Sequence, residues 1–192
     1  MPIPSVLEHL VFEISEFADA GFCNRVIDRA NDLGFQPATI TSESGTSVTP
    51  EIRNNDRVIF DDVEFANELW IRVSPNFRHP FKGWTAIGIN ERFRVYRYVP
   101  GQFFDWHQDG EYIRPDGAVS KFTLMIYLND GADGGGTSFA DVFSPHVFAD
   151  FTIEPATGKA LIFHHPLSHR GDPINSGEKY VLRSDVMFRD NT

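Results

Sequence analysis

The chain has 192 residues, 41% hydrophobic and 14% aromatic, with eighteen Phe, one cysteine and a formal net charge of −10. That length suits one domain with a substantial core. The acidity argues against general affinity for nucleic-acid backbones, which need Lys and Arg patches. A lone Cys23 excludes an internal disulfide and fits a reducing compartment. Met1-Pro2-Ile3-Pro4 lacks a basic region followed by a long apolar run, and no stretch is long and apolar enough to span a bilayer. The expectation is a soluble cytoplasmic protein with no membrane or nucleic-acid partner.

Phe22, Val26, Ile27, Ala30 and Leu33 recur at helical spacing, and Gly34 is placed as a C-terminal cap. Ala38 to Thr41 reads as a short strand. Ser42 to Arg57 is polar and loop-like. Within it, Arg53, Asn54, Asn55 and Arg57 form either an ordinary solvated loop or the lining of a substrate entrance. Asp61 or Asp62 caps a second helix with Val63, Ala66, Leu69, Trp70 and Val73 on its inner side. From Trp84 onward the pattern changes to strands: Thr85 to Ile89, Arg92 to Tyr98, Lys121 to Leu128, Thr137 to Phe139, Phe151 to Ile153, Ala160 to Phe163 and Lys179 to Phe188. Turn signals lie between them at Pro100-Gly101, Asp130-Gly131, Gly134-Gly135-Gly136 and Thr157-Gly158-Lys159. The predicted fold is mainly β with flanking α-helices. It is a double-stranded β-helix, or jelly roll, over about 84–190, with an N-terminal helical layer over about 1–83 in one domain.

His107-Gln108-Asp109 is the most informative motif. Side chains at i and i+2 of an extended chain point the same way, so His107 and Asp109 can reach one metal with Gln108 turned aside. Alone, His-x-Asp is equally a surface pair near a turn. About sixty residues later, the strand Ala160 to Phe163 leads through His164 and His165 to His169-Arg170-Gly171-Asp172-Pro173. Lys179 follows His169 by ten residues and Arg183 by fourteen.

This arrangement resembles the Fe(II)- and 2-oxoglutarate-dependent dioxygenases, specifically their prolyl 4-hydroxylase-like branch, over roughly Phe93 to Phe188. That family pairs His-x-Asp with a distal His and, about ten residues on, a basic residue for the far carboxylate of 2-oxoglutarate. Tyr96 to Gln102 is similar to the family's strand and loop before the first ligand. Leu124 to Asn129 resembles its next core strand. Gly134 to Phe139 resembles Gly-Gly-Glu-Thr-x-Phe, with Gly136 in place of the acid.

The resemblance implies metal ligands His107, Asp109 and His169. It implies a cosubstrate site made of Lys179, with Arg183 on the same strand face as a second or rival anchor, and Tyr127 and Tyr98 as hydroxyl donors. His169 is favoured over His164 and His165 by its spacing to Lys179 and to Pro173. Two histidines and a carboxylate leave coordination positions open, as non-heme Fe(II) requires. The implied cofactors are Fe(II), 2-oxoglutarate and O2, with ascorbate (vitamin C) as reductant. The implied reaction is hydroxylation of a C–H bond with release of succinate and CO2, and no separate general base is needed. The implied substrate is a prolyl residue in a protein or peptide, or a free amino acid or small metabolite. The alternative is a cupin-like metalloenzyme with the same roll and ligands that does not use 2-oxoglutarate.

Overall fold

The computed structural model describes residues 2–42, 45–47, 49–143 and 145–191. In chain order, β1 (Val11–Ile14) is followed by α1 (Ala20–Leu33), β2 (Gln36–Pro37), β3 (Ile40–Ser42), β4 (Gly45–Ser47), β5 (Asp56–Asp61) and α2 (Val63–Val73). Then come β6 (Trp84–Ile89), β7 (Arg92–Tyr98), β8 (Phe104–His107), β9 (Val119–Tyr127), β10 (Asp133–Gly134) and β11 (Thr137–Phe139). The last strands are β12 (Phe151–Ile153), β13 (Ala160–His164), β14 (His169–Gly171), β15 (Ile174–Ser176) and β16 (Lys179–Asp190).

Each helix begins where an aspartate side chain accepts a free first-turn N–H. Asp19 takes that of Phe22 at 2.6 Å, and Asp62 takes that of Phe65 at 2.9 Å. Gly34 ends α1 with φ 82°, a conformation that other residues enter only at a cost.

Eight strands form the larger sheet: seven in the order β1-β13-β9-β16-β7-β5-β2, and β6 as a branch on β16. The long β16 pairs with β7 along its first half and with β6 along its second. The smaller sheet runs β12-β11-β14-β8. Two facing sheets of mainly antiparallel strands make the double-stranded β-helix. Residues alternate across the larger sheet, and this alternation positions the site. Phe93, Val95, Phe122, Leu124, Ile126, Leu182 and Val186 point outward into a core with Phe22, Val26, Ala66, Leu69 and Val73 of the two helices. Their strand neighbours point between the sheets, where Tyr127, Phe139, Phe151, Phe163 and Val181 close one end in a second core. The other end holds Tyr96, Tyr98, Met125, Lys179 and Arg183.

Three expectations need correction. The first 83 residues are not only a helical layer, because β1, β2 and β5 extend the larger sheet. Val58 is buried on β5 while Ile59 is exposed, so half-burial made this strand too short and polar to stand out. Ser42 to Arg57 is not a solvated loop: β4 lies within it, and Arg53 and Asn55 are 4% and 1% exposed. Residues 43, 44 and 48 of that segment lie outside the described residues. Val63 and Leu33, expected on inner helix faces, are exposed. They sit at the first position of α2 and the last of α1. Among the described residues, no helix is long and apolar enough to cross a membrane.

Candidate metal centre and cosubstrate cavity

β8 and β14 pair antiparallel with His107 directly opposite His169. Cross-strand partners on one face are close, and the two imidazole rings lie 4.2 Å apart between centroids. Asp109, two residues beyond β8, is fixed by its backbone N–H donating to the His165 carbonyl at 3.1 Å. One ligand atom from each of His107, Asp109 and His169 lies within 4.8 Å of the others.

The ring hydrogen bonds set the chemistry of this group. The His107 Nδ1 lies 2.7 Å from the Asp105 carbonyl, and the His169 Nδ1 lies 2.9 Å from that of Leu167. A carbonyl only accepts, so each Nδ1 holds the proton and each Nε2 offers a lone pair. These Nε2 atoms face Asp109, at 3.9 Å from His107 and 3.7 Å from His169. Burial pushes both imidazoles below the usual histidine range, so both are neutral at pH 7 and free to act as ligands. Phe104 stacks on His107 at 3.5 Å and Phe163 meets His169 edge-on at 4.5 Å, which fixes both ring planes.

Burial alone would raise the Asp109 carboxyl. The charge of Arg183 is the chief influence that holds it well below the usual carboxylate range. Arg183 Nη2 is 3.0 Å from Asp109 Oδ1, and the Thr123 hydroxyl donates to Oδ2. Thr123 was not singled out in the sequence. Its signal is the alternation of β9, which turns Thr123, Met125 and Tyr127 inward together. Thr123→Val removes one donor from a carboxylate that must keep its orientation. Fe(II) affinity is expected to fall about tenfold with little change in melting temperature, as measured by anaerobic metal titration.

The ligands open onto a cavity lined among others by Tyr98, Thr137, Lys179 and Arg183. Lys179 is 3% exposed, and its ammonium donates to the Gly135 carbonyl. Among the described residues it makes no ion pair. Burial lowers its pKa to about 8, against a partial opposing pull from Asp172 and Glu154. A buried ammonium with one neutral acceptor suits an incoming carboxylate. Gly135 has φ 73°, and a Cβ there would lie 2.4 Å from Ile174 Cδ1 and 3.0 Å from Lys179 Cδ. The glycine is therefore what lets its carbonyl approach the ammonium. The absent acid at Gly136 also has a local reason: a Cβ there would lie 2.5 Å from Thr152 Cγ2.

Arg183 also lines the cavity but is already paired, with Asp109 and with Asp185 at 3.2 Å. Tyr98 sits opposite Lys179 on β7, and burial pushes its hydroxyl up to about 12. Tyr127 does not line the cavity; its buried hydroxyl donates to Thr137 Oγ1 at 2.7 Å, and Thr137 is the residue facing the space. Tyr127→Phe is expected to cost about 1 kcal/mol of stability in a denaturant melt, with a less than about threefold change in 2-oxoglutarate requirement. His164 packs between Phe81 and Phe122 on the helix side, and His165 is buried 3.6 Å from Asp185. Trp106 lies under Arg170, 4.9 Å from its guanidinium.

The donor set, and a Lys179 that makes no ion pair among the described residues, fit a metal with open positions and an anionic cosubstrate. The comparisons agree. Residues 93–184 match the model of the 2OG-Fe(II) oxygenase superfamily. Over 88 residues the chain is 32% identical to a PKHD-type hydroxylase of Sphingopyxis alaskensis, a stretch equal to 44% of this chain and 38% of that protein. The chain thus matches well under half the length of that relative. Among solved structures, a Pseudomonas putida prolyl-4-hydroxylase superposes with a TM-score of 0.69 at 18% identity, covering 94% of both chains. A Trichoplax adhaerens prolyl hydroxylase, solved with a hypoxia inducible factor peptide fragment, gives 0.72 at 14% identity over 93% of this chain and 83% of that one. A collagen prolyl hydroxylase of Paramecium Bursaria Chlorella virus-1, solved with 2-oxoglutarate, gives 0.62 at 22% identity over 93% and 96%. Residues 93–184 are thus similar to the 2OG-Fe(II) oxygenase superfamily. The fold of the chain is the one shared by the prolyl hydroxylases compared.

Proposed function

We propose that the protein is a 2-oxoglutarate-dependent dioxygenase that hydroxylates a C–H bond of its substrate and releases succinate and CO2. One observation carries this reading: an open His107, Asp109, His169 set shares a cavity with a buried ammonium, Lys179, that has no ion-pair partner among the described residues. When bound, Fe(II), 2-oxoglutarate and O2 supply the oxidising chemistry, in which oxidative decarboxylation of the cosubstrate accompanies insertion of oxygen into the substrate. The chain's own residues bind and orient. His107, Asp109 and His169 hold the metal. Lys179 takes the distal carboxylate of 2-oxoglutarate, with the Tyr98 hydroxyl beside it. Arg183 holds Asp109 in place and lies next to the metal-proximal end. Phe104, Met125 and Val181 keep water from the cavity walls. Two substrate classes suit this chemistry: a prolyl residue in a peptide, and a free amino acid or small metabolite.

The test is succinate formation by anaerobically purified protein given Fe(II), 2-oxoglutarate and ascorbate, then oxygen, beside His107→Ala. Slow succinate release without added substrate, lost in the variant, is the expected result. Metal binding without any metal-dependent binding of 2-oxoglutarate would replace this reading with the cupin-like one.

A further inference from the structure

We infer that the substrate is a small acid, whose oxyanion (a carboxylate in the simplest case) docks against Arg94, Arg57 and the buried Arg53 beside the metal ligands. This rests on the hydroxylase reading above and narrows its substrate.

The inner face of β5, β7 and β16 concentrates positive charge in a chain that is acidic as a whole. Arg94 and Arg183 stand directly opposite one another across the β7–β16 ladder. Like charges at such positions repel, and their placement is destabilising unless something neutralises them. Arg57 stands opposite Tyr96, one ladder further out. Arg53 lies with its guanidinium 4.4 Å from the Tyr96 ring and 4.3 Å from the Phe104 ring, and Phe104 in turn stacks on His107. Four guanidiniums thus surround Tyr96.

The acids paired with them are two. Asp109 is 3.0 Å from Arg183, and Asp185 is 3.2 Å from Arg183 and 3.7 Å from Arg94. Asp109 is the carboxylate given to the metal. Among the described residues, Arg53 and Arg57 make no ion pair; Arg53 donates through Nε to Asn55, and Arg57 donates to Thr39. Among the described residues, the buried donors Arg53 Nη2 and Arg94 Nη1 have no hydrogen-bond acceptor. The field is felt by their neighbours. Burial would raise the Tyr96 hydroxyl, yet Arg183, Arg53 and Arg94 bring it down to about 8. The cosubstrate does not account for this excess, because its distal carboxylate goes to Lys179, four residues along β16 from Arg183. A neutral, amide-flanked prolyl residue would leave these charges buried and unanswered, whereas an oxyanion would meet them with charge-assisted hydrogen bonds.

The test uses the full chain loaded with diamagnetic Zn(II) and saturating 2-oxoglutarate, so that both subsites of the proposed function are filled. Acetate is then titrated while the arginine Nε–H signals are followed by NMR. Saturable shifts of Arg53 and Arg94 are expected. Affinity for acetate should fall about tenfold or more in Arg94→Gln, and likewise in Arg57→Gln, while 2-oxoglutarate affinity stays within about twofold. Absence of any saturable shift would overturn the inference, as would a loss of 2-oxoglutarate affinity in Arg94→Gln as large as the loss for acetate. Failure of wild type to bind 2-oxoglutarate at all would instead overturn the hydroxylase reading beneath it. Matched ligands identify the source of the anion. Binding of N-acetyl-L-proline but not of N-acetyl-L-prolinamide supports a small acid. Tighter binding of a blocked peptide with an internal Asp would overturn that assignment in favour of an acidic peptide.

Discussion

Lys179→Met is expected to raise the 2-oxoglutarate concentration for half-maximal turnover by about 30-fold to several thousand-fold, the range for removing one partner of a buried charged pair, about 2–5 kcal/mol. Methionine fills most of the space of the lysine stem but carries no charge. The reason for so large an effect is that, among the described residues, the ammonium has only the Gly135 carbonyl as a hydrogen-bond partner, so a cosubstrate carboxylate bound there would meet a poorly compensated charge. The pH dependence follows with a definite sign. Burial lowers the Lys179 pKa to about 8 from its ordinary 10.5, and only the protonated form attracts a carboxylate. Wild-type affinity for 2-oxoglutarate should therefore fall as pH rises above about 8, whereas the weak affinity of Lys179→Met should stay flat. Stability moves the other way. Between about 8 and 10.5 the unfolded chain binds the proton that the folded chain has released, so the protein without cosubstrate becomes more stable as pH rises through that window. Lys179→Met lacks this gain and should be at least as stable as wild type below pH 8. Titration of 2-oxoglutarate at several pH values, with melts of the same samples, checks both. Unchanged kinetics in Lys179→Met would move the anchor role to Arg183.

Asp109→Ala should lower Fe(II) affinity by more than about 100-fold and abolish succinate release, since loss of even an indirect partner of a metal ligand commonly costs 10–100-fold. Its carboxylate is the single anionic ligand of the set, and its ionised state is secured by Arg183 and Thr123. The fold should survive. Breaking a buried ion pair usually costs about 3–5 kcal/mol because a charge is left alone, but Arg183 keeps Asp185 at 3.2 Å. The loss should be smaller than that range, and Asp109→Asn, which keeps the shape, smaller still. Anaerobic metal titration and a thermal melt of each variant decide it. Full activity in Asp109→Ala would refute the metal site as drawn.

Several features were legible in the sequence because they are local or periodic. The two helices announce themselves by apolar spacing and by Asp62 and Gly34 at their ends. Strands β7, β9 and β16 stand out as long runs of β-forming residues. His107 and Asp109 are bound to neighbour one another by an i, i+2 spacing. Lys179 and Arg183 share a strand face for the same reason. Short or half-buried strands were less visible: β1 has only four residues, β5 sets Val58, Ile59 and Phe60 between charged ends, and the place of both in the larger sheet depends on partners far away in the chain.

The sequence by itself determined the two-layer pattern of this protein and the identity of its candidate ligands, since both follow from side-chain chemistry at fixed local spacing. Tertiary structure alone decided the environments. It placed His169 opposite His107 across some sixty residues, gave Arg183 to Asp109, left Lys179 without an ion pair among the described residues, and turned Tyr127 toward Thr137. It also buried Arg53 and set Arg57 opposite Tyr96, which made a charged wall from what reads as a polar loop. The physical reason is that charge, burial and hydrogen-bond state depend on which strands lie side by side, and strand pairing is a long-range choice.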